Sequence, residues 1–291
     1  MALSIQSNAA ATTIRNQLNR TNDGLSVALE RLGTGYRINS AKDDAAGLQI
    51  ASRLSAQLVG QETAINNANN ANSMLQTAEG AFDEMTNIAF RMKELATQAA
   101  NGTNSETEYA AFDSEYTALK SELTNILNNT SFGSGTNLFA DTTGKFVADV
   151  TFQIGASSAE ILTVDIDTEV GDIRTSVTGG AAGDLLDLAW DTDAATSQTN
   201  ARTEIDSLDS FIANIGAARS KLGASMNRLD HTINNLSNMT ENTGSARDQL
   251  MDADFAKETS NMTKQQLLLN SGISVLSTAN STTQMVSQLL R

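Results

Sequence analysis

The chain has 291 residues with no cysteine, no proline and a single histidine, His231, which excludes disulfides, thiolate metal sites and paired-histidine zinc sites. Its 34 acids against 19 bases leave a net charge of −15, the wrong sign for a nucleic-acid partner, whose phosphates require a basic stripe. Aromatics are only 4% of residues while alanine fills 40 positions, so thin helix-on-helix seams are expected in place of a thick aromatic core.

The N-terminus, Met1 to Gln6, has neither the basic nor the apolar region of a secretory signal. The chain is therefore expected to stay in the cytoplasm or to leave by a route that does not read such a signal. No apolar run exceeds four residues, so no membrane span is expected. A weak helical seam runs through Ile14, Leu18, Thr21, Leu25, Ala28 and Leu32. Ser40 and Asp43 have capping-box spacing, and Asp43-Asp44 would sit at the positive end of a helix dipole. A helix from 41 to 100, roughly 90 Å long by the α-helical rise, is predicted from that start. Within it Ala68, Ala71, Leu75, Ala78, Phe82, Met85, Ala89, Met92, Ala96 and Ala99 alternate by three and four, the seam of a bundle or coiled coil. Asn101-Gly102 is a plausible stop.

A second seam, Tyr109, Phe112, Tyr116, Leu119, Leu123 and Ile126, follows after a short break, which predicts an antiparallel helical hairpin. Between 131 and 200 the texture changes to Gly-Ser-Thr-Asp clusters. The stretches 146–154 and 161–166 flank Gly155-Ala156-Ser157-Ser158 and predict a β-hairpin. This segment holds 11 acids and 2 bases, which reads as an exposed acidic face. A third seam is Leu208, Ile212, Ile215, Leu222, Met226, Leu229, Ile233 and Leu236, with Arg219 the misfit. The last forty residues are apolar at Phe255, Met262, Leu269, Ile273, Leu276, Val286 and Leu290. The predicted fold is mainly α: a long antiparallel helical coiled-coil rod built from both chain ends, with a small β-hairpin region in mid-chain. The expected domains are 1–45 plus 245–291 as terminal helices, 46–166 plus 200–244 as a rod with the hairpin, and 167–199 as a short acidic exposed insertion.

Catalytic chemistry is poorly represented. No GxxxxGK[ST] loop is present, and Gly33-Thr34-Gly35 is too short for a dinucleotide fingerprint. His231 lies off the seam and is expected on the solvated surface. Asp165-x-Asp167-x-Glu169 has some calcium-loop spacing, but its glycine falls one place late at Gly171 and Ser176 occupies the bidentate acid's position; an acidic strand edge is the better reading. Asp252 and Asp254 point to different faces if helical and suit a helix start or a contact between segments. No catalytic residue, cofactor or metal is expected. The ends, 1–40 and 250–291, either pack on each other as an ordinary pair of helices or fold only on assembly.

The run Arg31 to Leu48 (RLGTGYRINSAKDDAAGL) resembles the N-terminal signature of bacterial flagellin. So do Ala71 to Gly80, Phe152 to Ala156, Asp252 to Ala256 and the ending Met285 to Arg291, over about 1–165 and 200–291. The resemblance implies a minimal flagellin, with little or no variable outer domain. It implies a secreted structural protein, a homopolymer of many copies in the extracellular motility filament. It further implies an export apparatus, an export chaperone, a filament cap and hook-junction proteins as partners. The family's proline near the C-terminus is missing from Ala279-Asn280-Ser281-Thr282-Thr283. Carried over by local motif, Arg91 and Leu95, four apart on a face expected to be exposed, together with Glu115, resemble the residues read by the flagellin-sensing Toll-like receptor of animals; an ordinary subunit contact is the alternative. Such a filament resembles a bistable lattice, and Gly223, inside the third seam, would be a packing switch if its missing side chain lets a helix approach closely; a neutral surface glycine is the alternative. A hook–filament junction protein is the runner-up, and a soluble helical-rod adhesin or receptor ligand is the alternative from another class.

Overall fold

The computed structural model describes residues 8–133, 135–179 and 194–289. The predicted positions Met1 to Gln6, Leu290 and Arg291, and the stretch 180–193 of the expected insertion, lie outside the described residues. Six α-helices occur among the described residues: α1 Ala9–Thr34, α2 Ala45–Ala99, α3 Glu106–Asn129, α4 Asp167–Thr178, α5 Ala194–Met251 and α6 Phe255–Leu289. Strands β1 (Ser131–Phe132) and β2 (Thr136–Asn137) form one small ladder; β3 (Val150–Gln153) and β4 (Ile161–Val164) form the predicted hairpin, with Val150 opposite Val164. The fold is mainly α, as the seams imply.

The chain divides into two compact units, residues 1–58 with 241–291 and residues 59–240. The expected divisions after 45 and before 245 thus fall elsewhere, inside the continuous helices α2 and α5. These helices carry no break for a boundary to follow.

In unit 59–240, α2 and α5 run antiparallel in one constant register. Thr240 donates to Gln61 at 3.5 Å, Asn72 to Asp230 at 3.2 Å, Arg219 to Glu79 at 2.9 Å and Gln198 to the Ala100 carbonyl at 2.9 Å; Lys93 pairs with Asp209. The helix α3 folds back on α2 from the corner at 100–105, its start held by Glu108, whose carboxylate accepts from the N–H of Ser105 at 2.7 Å and from its hydroxyl at 3.0 Å. Those bonds hold the Glu108 carboxyl below its ordinary value. The core contains the α2 seam, Tyr109, Tyr116, Leu123 and Leu127 of α3, and Leu208, Phe211, Ile215, Leu222 and Leu229 of α5. Aromatics are few but concentrated: Phe82 lies 4.9 Å from Phe139 and Phe139 6.0 Å from Phe146, centroid to centroid. Phe146 is not in a strand, because Lys145–Val147 forms a 3₁₀ turn.

The acidic insertion is not simply exposed. Val170, Ile173 and Val177 of α4 are buried in the same core, and Arg174 donates to the Phe139 carbonyl at 2.6 Å. Asp167 and Glu169 lie in the first turn of α4, where the helix dipole favours negative charge. Local acidity hid a short amphipathic helix.

In the other unit, α1 and α6 pack antiparallel. Asn8 caps α1 by accepting from the N–H of Ala11 at 3.0 Å and donates across to the Ala279 carbonyl at 3.3 Å. Gly35, at φ +79, closes α1 in a left-handed conformation that suits glycine. Beyond it Arg37 N–H donates to the Met251 carbonyl at 2.6 Å and Ala253 N–H to the Gly35 carbonyl at 2.9 Å, so the segments around Tyr36 and Asp252 form a two-way bridge. Ser40 and Asp43 do bond at 3.1 Å, but within the loop; α2 begins later, with Asp44 accepting from Gly47 N–H at 2.8 Å. Asp254 opens α6 by accepting from the N–H groups of Ala256 and Lys257 at 3.0 and 3.1 Å.

Candidate assembly surface

The terminal unit shows more large apolar side chains than it hides. Among its described residues the buried hydrophobics are Ala11, Ala28, Ile38, Ala51 and Leu58. Ten large hydrophobics among the described residues of the same unit are exposed, including Leu29 (49%), Phe255 (59%), Leu267 (65%), Ile273 (54%) and Val275 (51%). A monomeric surface seldom keeps that excess uncovered.

The reason lies in the spacing along α6. Met262, Leu269 and Leu276 are half-buried on the side that meets α1, whereas Leu267, Leu268, Ile273 and Val275 are exposed. The α1–α6 seam is narrow and close: a Cβ placed on Gly272 would lie 2.6 Å from Leu18 Cδ2. A two-helix contact of this width covers one stripe of each helix and leaves a second apolar stripe open. Phe255, Leu267 and Leu268 line an open groove along α6 with Thr259, Thr263 and Lys264. Inside the seam Arg31 pairs with buried Glu258 at 3.1 Å, the one ion pair between α1 and α6 among the described residues.

Charge is divided in the same way. Residues 59–240 contain 25 acids and 9 bases, whereas 1–58 with 241–291 contain 9 acids and 10 bases. The terminal unit is near neutral and the other carries the whole net negative charge.

The residues singled out in the sequence divide likewise. Arg91 and Glu115 are brought together: the guanidinium Nε donates to Glu115 at 2.8 Å and Nη1 to Glu94 at 2.6 Å. These carboxylates raise the Arg91 pKa further. Leu95 does not share their exposed face; it is 1% exposed, in the core. The helix α2 meets both α3 and α5, so its buried surface is wider than one seam. Met74, Ile88 and Leu95, spaced by fourteen and seven residues, form its flank, and that spacing was a signal available in the sequence.

Gly223 also departs from expectation. A Cβ there would meet no described atom within 4 Å, so among the described residues no helix approaches it closely. The close approach is at Gly60 on α2, where a Cβ would lie 2.7 Å from Ala156 Cβ in the turn of the β3–β4 hairpin; Asn67 nearby donates to the Gln153 carbonyl at 3.2 Å. His231 is exposed. Asp149, Asp165 and Asp167 bring carboxylate oxygens within 4.8 Å of one another, beside Lys221, which pairs with Glu169 at 2.8 Å. Sharing a hydrogen bond with Asp167 pushes the Asp165 carboxyl up. No helix among the described residues is long and apolar enough to cross a membrane.

Comparison with known proteins agrees with this arrangement. The bacterial flagellin N-terminal helical region matches residues 5–143, and the bacterial flagellin C-terminal helical region matches residues 205–290. Polar flagellin A of Vibrio parahaemolyticus is 43% identical over 211 residues, 70% of this chain and 54% of that protein. The chain thus spans about half the length of that relative. Polar flagellin B/D of Vibrio parahaemolyticus is 32% identical over 96% of this chain and 97% of its own, in an alignment of 371 positions. That exceeds the 291 residues available, so the relative carries residues this chain does not. Among solved structures, a putative flagellar hook-associated protein from Vibrio parahaemolyticus superposes with a TM-score of 0.57 over 72% of this chain and 100% of that one, at 14% identity, a likeness of fold. With both helical regions matched in chain order and a relative aligned end to end, the chain belongs to the bacterial flagellin family.

Proposed function

We propose that the chain is the self-assembling structural subunit of a helical flagellar filament outside the cell, with further copies of itself as principal partner. The carrying observation is the terminal unit, near neutral in charge, in which exposed large hydrophobics outnumber buried ones. A second copy offers the same stripe and covers it without bringing like charges together. Export without a cleaved signal, with an export apparatus, chaperone, cap and hook-junction proteins as further partners, belongs to the same reading. The exposed Arg91–Glu115 pair is a subunit contact in this scheme and the solvent-facing part of any receptor-recognition site; Leu95 supports it from within the core.

The test is seeded polymerisation followed by electron microscopy. The double variant Leu267→Ser/Leu268→Ser removes two apolar side chains that the monomer does not bury, each worth about 1–2 kcal/mol when covered. The variant monomer should keep its far-UV spectrum and fail to elongate seeds. Elongation at the normal rate would show that the α6 stripe is not the contact.

A further inference from the structure

The corner between α2 and α3 carries chemistry that assembly does not use. We propose that Asn101-Gly102 is a site of spontaneous deamidation, at which the backbone nitrogen of Gly102 attacks the side-chain carbonyl carbon of Asn101.

The step balances without any oxidant or catalyst. A bond forms between Gly102 N and Asn101 Cγ, and the Cγ–Nδ2 bond breaks. The proton leaving Gly102 N is taken up by the departing nitrogen, which goes as ammonia, and a five-membered succinimide remains. Water then opens the ring at either carbonyl, giving aspartate or isoaspartate. The net change is one water consumed and one ammonia released.

Three conditions favour this corner. The attacked side chain must be free, the attacking N–H must be unbonded, and the backbone must be able to turn so that the two meet. Asn101 and Gly102 are both exposed, outside any helix. Among the described residues neither the Asn101 side chain nor the Gly102 N–H makes a hydrogen bond; Asn101 is held only through its backbone, by its N–H to the Gln98 carbonyl at 3.2 Å and its carbonyl to the Tyr109 hydroxyl at 3.4 Å. Glycine supplies the backbone freedom.

The asparagines at the other corners are tied down. Asn39 donates its side chain to the Tyr36 carbonyl at 3.2 Å, and the following N–H, of Ser40, is taken by Asp43 at 2.9 Å. Asn104 donates to the Gln98 carbonyl at 2.7 Å, and Ser105 N–H is taken by Glu108 at 2.7 Å. Asn137 donates to the Asn128 carbonyl at 3.0 Å, and Leu138 N–H to the Thr130 carbonyl at 2.9 Å. In each the nucleophile is already bonded.

The product changes the corner. A new carboxylate appears just after the last turn of α2, the negative end of its dipole. Isoaspartate also adds a methylene to the main chain at the point where the buried Tyr109 is anchored, so the modified corner holds α2 and α3 together less firmly.

The full-length protein, kept folded in mildly alkaline buffer, is sampled over time by peptide mapping and by isoaspartyl methyltransferase labelling. The Asn101 peptide should convert ahead of those containing Asn39, Asn104 and Asn137, with ammonia released in step. Gly102→Ala should slow conversion by about tenfold because alanine lacks glycine's range of φ and ψ; its methyl meets only the flexible end of Gln198, at 3.0 Å. Asn101→Gln, which leaves the backbone alone, serves if that variant does not fold. Conversion at Asn101 no faster than at Asn39 or Asn104, or a rate untouched by either substitution, overturns the proposal.

Discussion

Gly60 and Gly223 allow one substitution to be read in two environments. Both lie inside long helices of the 59–240 unit, and in each the change to alanine gains about 1 kcal/mol of helix stability. At Gly223 the added methyl meets nothing, so that gain should appear in full. At Gly60 the methyl would lie 2.7 Å from Ala156 Cβ and 3.3 Å from its Cα, and backbone cannot swing aside as a flexible side chain does. The hairpin must shift from α2, straining the Asn67–Gln153 bond, at an overpacking cost of about 1–3 kcal/mol. The net at Gly60 runs from zero to about 2 kcal/mol of destabilisation. For a unit of this size, 1 kcal/mol corresponds to roughly 2–4 °C in Tm. Scanning calorimetry should show Gly223→Ala melting higher than the parent and Gly60→Ala at or below it, with Ala156→Gly recovering the loss when added to Gly60→Ala. Equal upward shifts at both glycines would refute the close hairpin–helix contact. Filament waveform gives a parallel reading: Gly223→Ala should leave it unchanged if the glycine meets as little in the filament as it does among the described residues of the single chain.

Leu95→Ala should cost about 2–5 kcal/mol as a core truncation, whereas Arg91→Ala, which breaks an exposed ion pair, should cost no more than about 1 kcal/mol; denaturant midpoints of comparable size would contradict the placement of Leu95. The carboxylates respond to pH in opposite senses. Glu108 and Asp43 are depressed, by bonds from Ser105 and from Ser40 with Asn39, so their stabilisation is present above the ordinary carboxylate values and is lost as pH falls through their lowered ones. Asp165 is raised, so what it contributes is fully present below its ordinary value and lost as pH rises through the higher folded one. At neutral pH Glu108→Gln should lower stability and Asp165→Asn raise it, with both differences shrinking in acid; urea melts across that range check the signs.

What could be read in the sequence was whatever depends on local spacing. The α2 seam from Ala68 to Ala99 and the α3 seam from Tyr109 to Ile126 lie in the core because a three–four alternation can bury itself in only one way. The hairpin was legible from two β-prone stretches around Gly155. What depends on a second neighbour was not. Leu95 looked exposed because one seam implies one partner, while α2 has two. The open space at Gly223 and the close approach at Gly60 were not legible, because the space around a glycine is set by residues far away, here Ala156. Val170, Ile173 and Val177 had helical spacing, but acidic and glycine-rich surroundings masked it. At the helix start two adjacent aspartates share the work, Asp43 in the loop and Asp44 at the cap, and spacing alone does not separate them.

The uneven division of charge has a consequence for how copies add to one another. A polymer joined through the near-neutral terminal unit gathers the acid-rich parts of successive subunits into a polyelectrolyte, each bringing 25 acids and 9 bases. Growth therefore confines counterions, the reverse of a basic protein meeting DNA, where counterions are released and salt weakens binding. Here dilute salt opposes growth through the osmotic pressure of the confined ions, and added salt relieves it. As the screening length shortens to about 10 Å near 0.1 M, repulsion between neighbouring subunits fades while the apolar contact is untouched. The critical concentration for polymerisation should fall as ionic strength rises, so that a monomer kept apart in dilute buffer elongates in a saline one.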